Sequence, residues 1–256
     1  MTQYATFHDL KDQSVYITGG GSGIGASLTE GFMAAGAKVA FVQRSDSTEF
    51  CDQMEQKFGT RPLFMKCDIT DVARLEETLD EAAAVHGPVT VLVNNAANDV
   101  RHKTAEMSVD DWDWNHAVNL RPHFFTTKHV VAGMKAAGGG AIINFSSASY
   151  GMGNAGYPAY VAAKAGIIGL TRTHAREFGP DNIRVNALVP GWVLTERQME
   201  LWATEEGLKE HLAGQCLKEH LVPQDVVDAT LFLASKASRM MTAQAMVVDG
   251  GVVFTG

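Results

Sequence analysis

The chain of 256 residues is 46% hydrophobic and 20% charged, which supplies a sizeable core and excludes wholesale disorder, collagen-like, coiled-coil and low-complexity classes. Its 21 Lys and Arg against 29 Asp and Glu give a net charge of −8 with no basic stripe, so nucleic acid is a poor partner. The three cysteines, Cys51, Cys67 and Cys216, are odd in number and never form a C-x-x-C pair. They read as reduced packing residues, with neither a disulfide framework nor a metal site suggested.

No basic, apolar leader opens the sequence, and no run reaches the roughly 18 apolar residues of a membrane span. The expectation is a soluble, cytoplasmic protein with no membrane partner. Seven short aliphatic or β-branched runs follow at 15–17, 38–42, 62–65, 89–93, 141–145, 183–188 and 245–248, with helical patterns between them. This alternation predicts one α/β domain of Rossmann type over residues 1–256, a seven-stranded parallel sheet wound on both faces.

After the first run comes Thr18-Gly-Gly-Gly-Ser-Gly-Ile-Gly25, followed by a helical pattern over 26–35. Gly19, Gly23 and Gly25 let the chain turn tightly, and with Ser22 and Ile24 they bring a helix N-terminus, with unpaired N–H groups, against a pyrophosphate. Such a fingerprint expects an acidic residue about 20 positions on to bind the ribose 2′-hydroxyl. Gln43 and Arg44 stand there instead. Without a carboxylate a 2′-phosphate meets no repulsion, and the Arg44 guanidinium can pair with it, so NADP is favoured; the alternative is NAD held by a weaker Gln43 hydrogen bond.

Residues 71–86 place Val72, Leu75, Leu79, Ala82 and Ala83 on one helix face, and Gly87-Pro88 stops that helix. Two polar clusters end the fourth and fifth runs, Asn94-Asn-Ala-Ala97 and Ser146-Ser-Ala-Ser149. Tyr160-Val-Ala-Ala-Lys164 follows, and its i, i+4 spacing puts the phenol and the ammonium on one helix face. An ammonium there favours the ionised phenol and should lower its pKa from about 10, making Tyr160 a general base for an alcohol proton. Ser147 can hold the reacting oxygen. Residues 192–221 interrupt the rhythm with two short polar helices and no strand, the place for a substrate lid.

Together these residues resemble the classical short-chain dehydrogenase/reductase family from about Leu10 to Gly251. The motifs are Thr18-Gly-x-x-x-Gly-Ile-Gly25, Cys67-Asp68-Ile69, Asn94-Asn-Ala96, Asn119, Ser147, Tyr160-x-x-x-Lys164, Asn186 and Pro190-Gly191. The resemblance implies Asn119 as the residue that orders a water beside Lys164, Ser147 as substrate positioner, and Tyr160 as acid/base. It also implies Tyr160 and Lys164 at the cofactor, Asp68 and Ile69 around adenine, Asn95 and Ala96 near the cofactor, and Pro190, Gly191, Val193 and Thr195 beside the nicotinamide. Ala97 departs from the family, which usually has glycine there.

The stretch Asn98-Asp-Val-Arg-His-Lys103, Gln215-Cys-Leu-Lys218 and Pro190-Gly191-Trp192 are similar to family members that oxidise aldoses at C1. That implies a hexose or pentose substrate such as galactose, arabinose or xylose, with Asn98, Asp99, Ser147, Asn154, Tyr157 and Trp192 as candidate contacts. Against this stand a lid-packing role for Trp192, a surface pair between Asp99 and Arg101, and a solvated His102. Another alcohol or ketone, such as a sugar alcohol, steroid or 3-oxoacyl thioester, stays open, as does a redox-sensing module that holds nucleotide without turnover. The resemblance further implies a homotetramer.

Overall fold

Parity along the strands decides the layers. In the computed structural model, which describes residues 5–254, Val15 and Ile17 of β1 (Ser14–Thr18) enter one core and Tyr16, between them, enters the other. The same alternation sends Val39 and Phe41 of β2 (Lys38–Gln43) to the first core and Ala40 and Val42 to the second. Strands buried on both faces are near-continuous apolar runs, as parallel sheets require.

In chain order the helices and strands are β1, α1 (Gly23–Ala34), β2, α2 (Thr48–Phe58), β3 (Leu63–Lys66), α3 (Val72–His86) and β4 (Val91–Asn94). There follow α4 (Val109–Asn119), α5 (Arg121–Ala136), β5 (Gly140–Phe145), α6 (Ser149–Met152), α7 (Pro158–Phe178) and β6 (Ile183–Pro190). The remainder is α8 (Glu196–Leu201), α9 (Glu205–Gly214), α10 (Pro223–Ala234) and β7 (Ala245–Val248). All seven strands are parallel in the order β3-β2-β1-β4-β5-β6-β7, the expected sheet. Beside the expected runs, β6 continues two residues further, because Val189 and Pro190 still pair with Val247 and Val248. Proline is tolerated there because it sits at the strand's end.

Leu28 and Phe32 of α1 and Val227 and Leu231 of α10 seal the first face, while Leu75 and Leu79 of α3 and Met134 of α5 seal the second. Helix α3 starts where Asp71 accepts from the Arg74 N–H and stops at Gly87, whose φ of 85° precedes Pro88. Cys51 and Cys67 pack in these cores; Cys216 is exposed, contrary to the packing role expected for it, because it lies past α9 at the rim of the lid. Among the described residues no helix is long and apolar enough to cross a membrane.

One buried polar chain crosses the second face. Thr126 of α5 donates to Asn94 Oδ1 at 2.8 Å, Asn94 Nδ2 donates to Asn144 Oδ1 at 3.0 Å, and Asn144 Nδ2 donates to Thr171 Oγ1 of α7 at 3.1 Å. Every group finds a partner, which removes the cost of burying it. At the far end of the sheet the Arg184 guanidinium donates to the carbonyls of Leu233 (2.8 Å), Ala234 (3.2 Å) and Ser235 (3.1 Å) at the C-terminus of α10, where Ser238 also donates to Leu233 and Ser235. Arg184→Ala should therefore lower unfolding stability by about 2–3 kcal/mol, since several half-buried carbonyls lose a charged donor. An unchanged urea midpoint would show that water replaces the guanidinium without loss.

Candidate active site

The chain leaves β1 toward β2 and β3, then returns to place β4 on β1's other side, so the loops after β1 and β4 diverge and leave a crevice. A cleft of about 1040 Å³ opens there. Thr18 holds its floor together: its hydroxyl accepts from the N–H groups of Asn95 (3.0 Å) and Ala96 (3.1 Å). Asn95 Nδ2 in turn donates to the carbonyls of Thr18 (3.0 Å) and Gly19 (3.2 Å). Asn95 and Ala96 thus fix the turn and line the cleft with Gly19, Ser22, Gly23, Ile24, Gly25 and Ala97.

Two glycines are required by geometry. Gly19 has φ of 70°, and a Cβ on Gly25 would stand 1.7 Å from the Gly19 carbonyl oxygen. Helix α1 begins at Gly23 with no side chain capping its N-terminus, so its free N–H groups face the cleft. That cradle fits a pyrophosphate.

At the adenosine end Gln43 is already engaged. Its Oε1 accepts from the Gly21 N–H at 3.0 Å, and its Nε2 donates to Ser45 Oγ at 2.7 Å. Arg44 is exposed and lies 3.9 Å from Asp68 Oδ2, and both line the cleft with Ile69. Arg44 thus brings a guanidinium to this end, within ion-pair reach of Asp68, while the Gln43 carboxamide braces the glycine turn.

Helix α7 carries Tyr160 and Lys164, which are not among the residues lining this cleft. Lys164 is 1% exposed, and its Nζ donates to the Phe145 carbonyl at 2.8 Å while lying 5.5 Å from the Tyr160 ring centre. Burial pushes the Lys164 ammonium down to about 7. Burial also raises the Tyr160 phenol, with a smaller lowering from a hydrogen bond to Ser147 and a further rise from the Asp99 charge. The expected depression of the phenol by Lys164 is therefore not present in the free protein. Desolvation outweighs it, and the ammonium is turned to a main-chain carbonyl. Ser147 Oγ also accepts from the Ser149 N–H at 3.2 Å, and Ser146 Oγ donates to the Lys164 carbonyl at 2.7 Å.

Asn119 ends α4, and the chain breaks at Leu120 (φ −128°, ψ −50°) before α5. Its side chain is fully used: Oδ1 accepts from the Asn98 N–H at 2.8 Å, and Nδ2 donates to the carbonyls of Asn98 (3.0 Å) and Asn115 (3.1 Å). Asn98 is thereby held as a main-chain partner of Asn119.

Residues 192–221, the expected place for a lid, contain two helices, α8 and α9, and the ends of the stretch meet in a parallel bridge between Val193 and Leu221. Thr195 caps α8 through the Gln198 N–H (3.3 Å) and lines the cleft. Gly191, after Pro190, runs against β7's end, where a Cβ would be 2.8 Å from Asp249 Cα. Gln198, which the sequence did not single out, accepts from Trp192 Nε1 at 2.9 Å and donates to Asp99 Oδ2 at 3.0 Å, joining two expected substrate contacts. Asp99 pairs with Arg197 at 3.7 Å, not with Arg101. Arg101 instead lies 3.8 Å over the Tyr157 ring, and Tyr157 packs on Tyr160 at 5.6 Å between ring centres. Asn154 is exposed, its amide reaching Met152 Sδ at 3.9 Å. The pairings of Gln198 with Asp99, Arg101 with Tyr157 and His102 with Ala159 cross 99, 56 and 57 residues of sequence, and no local spacing announces them.

The family described as enoyl-(acyl carrier protein) reductase matches residues 19–253. A protein of Rhizobium meliloti strain 1021 named "Probable galactose dehydrogenase GalD" is 48% identical, covering 96% of this chain and 97% of its own. D-xylose 1-dehydrogenase of Caulobacter vibrioides strain NA1000 is 44% identical, covering 96% and 98%. The structure of ligand-free aldohexose dehydrogenase from Thermoplasma acidophilum superposes with a TM-score of 0.86 at 28% identity, covering 96% of both chains. With the glycine turn, the Tyr160–Lys164 pair and this likeness over nearly its whole length, the chain belongs to the short-chain dehydrogenase/reductase family and is an NAD(P)-dependent dehydrogenase acting on CH–OH groups.

Proposed function

We propose that the protein oxidises a cyclic aldose at C1 to the aldonolactone, with galactose, arabinose and xylose as the leading substrates and NADP as the favoured cofactor. The observation that carries this reading is the polar Asn98–Asp99 turn, tied through Gln198 to Trp192 and close enough for the Asp99 charge to act on both Tyr160 and Lys164. The relatives named for galactose, xylose and aldohexose oxidation support it.

In this reading Ser147 holds the anomeric oxygen and Tyr160 takes its proton. Lys164, at about 7, holds a proton reversibly beside the phenol, and Asn119, its side chain committed to Asn98 and Asn115, orders water through its main chain at the helix break. The glycine turn, Arg44, Asp68 and Ile69 hold the adenosine half, and Pro190 to Thr195 flank the reacting half. Bound oxidised NAD(P) supplies the hydride acceptor. A cytoplasmic homotetramer belongs to the same reading, and Phe124, 45% exposed beside His174 of α7, leaves apolar surface for it.

The decisive assay follows reduced cofactor at 340 nm with a panel of aldoses, alditols, 1-O-methyl glycosides, ketones and thioesters. Aldoses should react, with epimers differing strongly in kcat/KM because fixed polar partners reject misplaced hydroxyls. Alditols and methyl glycosides, lacking the anomeric hydroxyl, should be inert. Tyr160→Phe should remove about 10²–10⁴-fold of turnover. Methyl glycosides reacting as well as free sugars would overturn the C1 assignment.

Cofactor choice is tested separately. Arg44→Ala should weaken NADP by roughly 1–2 kcal/mol more than NAD in fluorescence titrations, since a screened charge-assisted contact is lost. Equal losses would remove Arg44 from the 2′ position.

The buried lysine makes its own prediction. Below about pH 7 both folded and unfolded states carry the Lys164 proton, and the folded state bears the full cost of burying it. Between that value and the unfolded pKa of about 10.4 only the unfolded chain keeps the proton, so this residue's contribution becomes less unfavourable as pH rises. Urea stability of the cofactor-free wild type should therefore gain on Lys164→Met across that window. A constant difference between the two would contradict the lowered pKa.

A further inference from the structure

Two consecutive residues, Arg101 and His102, grip the two neighbours of Tyr160. Helix α7 opens at Pro158 after Tyr157, with no side chain of its own N-cap bonding to it. Its first free donor, the Ala159 N–H, reaches instead to His102 Nε2 at 3.2 Å, a contact spanning 57 residues of sequence. The His102 N–H donates to the Gly156 carbonyl at 2.7 Å, and the ring's other nitrogen, Nδ1, lies 3.2 Å from the Val100 carbonyl. On the other flank, the Arg101 guanidinium stacks 3.8 Å over Tyr157, whose ring packs on Tyr160. Arg101 is also 5.2 Å from the Trp202 ring, just past α8 of the lid.

The chemistry of the imidazole is then determined. A backbone N–H can only donate, so Nε2 presents its lone pair, and the single ring proton sits on Nδ1, where a carbonyl oxygen awaits it. A neutral His102 in this tautomer satisfies both contacts. A bidirectional clip of this kind ends the fraying of α7's first turn and fixes where the next residue emerges.

We propose that His102, with Arg101 beside it, is a positioning residue for the reaction: it holds residues 157–159 so that the Tyr160 hydroxyl stands at the reacting alcohol, without itself touching substrate or cofactor. The inference rests on Tyr160 as the acid/base and is independent of which alcohol is oxidised. Misplacement of a reacting group by about 1 Å costs on the order of 100-fold in rate.

The test compares His102→Ala, which removes the acceptor, with His102→Gln, which keeps one, using the substrate that the wild type turns over best. His102→Ala should lower kcat by roughly 10- to 100-fold with KM and cofactor affinity near wild type, and His102→Gln should recover most of that loss. In parallel, ¹⁵N spectra of histidine-labelled protein, assigned by the missing signal in His102→Gln, should show an unprotonated Nε2 and a protonated Nδ1. If His102→Ala keeps wild-type kcat, if KM, cofactor affinity and kcat all fall together without rescue by glutamine, or if Nε2 carries the proton, the inference is wrong. Tyr160→Phe run alongside separates the two readings. An active Tyr160→Phe removes the acid/base assignment itself, whereas an inactive one beside a fully active His102→Ala removes only the positioning role.

Discussion

The floor of the cleft depends on the Thr18 hydroxyl, which accepts two backbone N–H donors from the far side of the crevice. A topological switch point is a place where neighbouring strands send their loops apart, and divergence leaves backbone donors without ladder partners. Thr18 satisfies two of them, and Asn95 returns the favour to the Thr18 and Gly19 carbonyls. The glycine turn is thereby set at a fixed height over β4, with α1's N-terminus open to the cleft. This clip, with the Asn95 amide and the Gly19 N–H bond to the Val42 carbonyl, holds Gly19 close against Ala96, where a Cβ would find an atom at 3.1 Å.

The fold was legible because each of its determinants is local. Period-two alternation assigned Tyr16 and Val15 to opposite faces, and the helix over 72–86 announced itself by its apolar stripe and by Gly87-Pro88. The pair at 160 and 164 was equally plain, since a helix puts i and i+4 together. What escaped was anything that needed to know the surroundings. The Tyr160 phenol is raised because it is buried, and burial is a sum over distant segments that spacing does not reveal. Likewise, Asp99 and Arg101 suggest a surface pair by proximity in sequence. The fold gives Asp99 to Gln198 and Arg197 and Arg101 to Tyr157, because the intervening loop turns them to different elements.

That loop deserves to be seen as one device. Asn98 is bonded both ways to Asn119 at the α4 break, Asp99 to the lid, Arg101 to Tyr157, and His102 to the start of α7. Five consecutive residues, 98–102, thus reach three elements, α4, α8 and α7. Loops of this kind place function on a rigid scaffold while remaining free to vary in what they present to the substrate. A change in loop length here would disturb all three attachments together.

The buried chain Thr126–Asn94–Asn144–Thr171 has a direction: each donor points from α5 through two strands toward α7. Because an amide's oxygen and nitrogen are not interchangeable in such a row, the two asparagines must be oriented head to tail, each fixing the other. The row therefore acts as a key cut for a single helix register. Sliding α7 by one residue would carry Thr171 about 1.5 Å along the axis and turn it roughly 100° away, leaving Asn144 with an unanswered donor in a dry core. Apolar side chains alone would tolerate such a slip far better, since hydrophobic contact has no direction. The sheet thus specifies which turn of α7 packs on β5, and with it where Tyr160 and Lys164 stand along the helix axis.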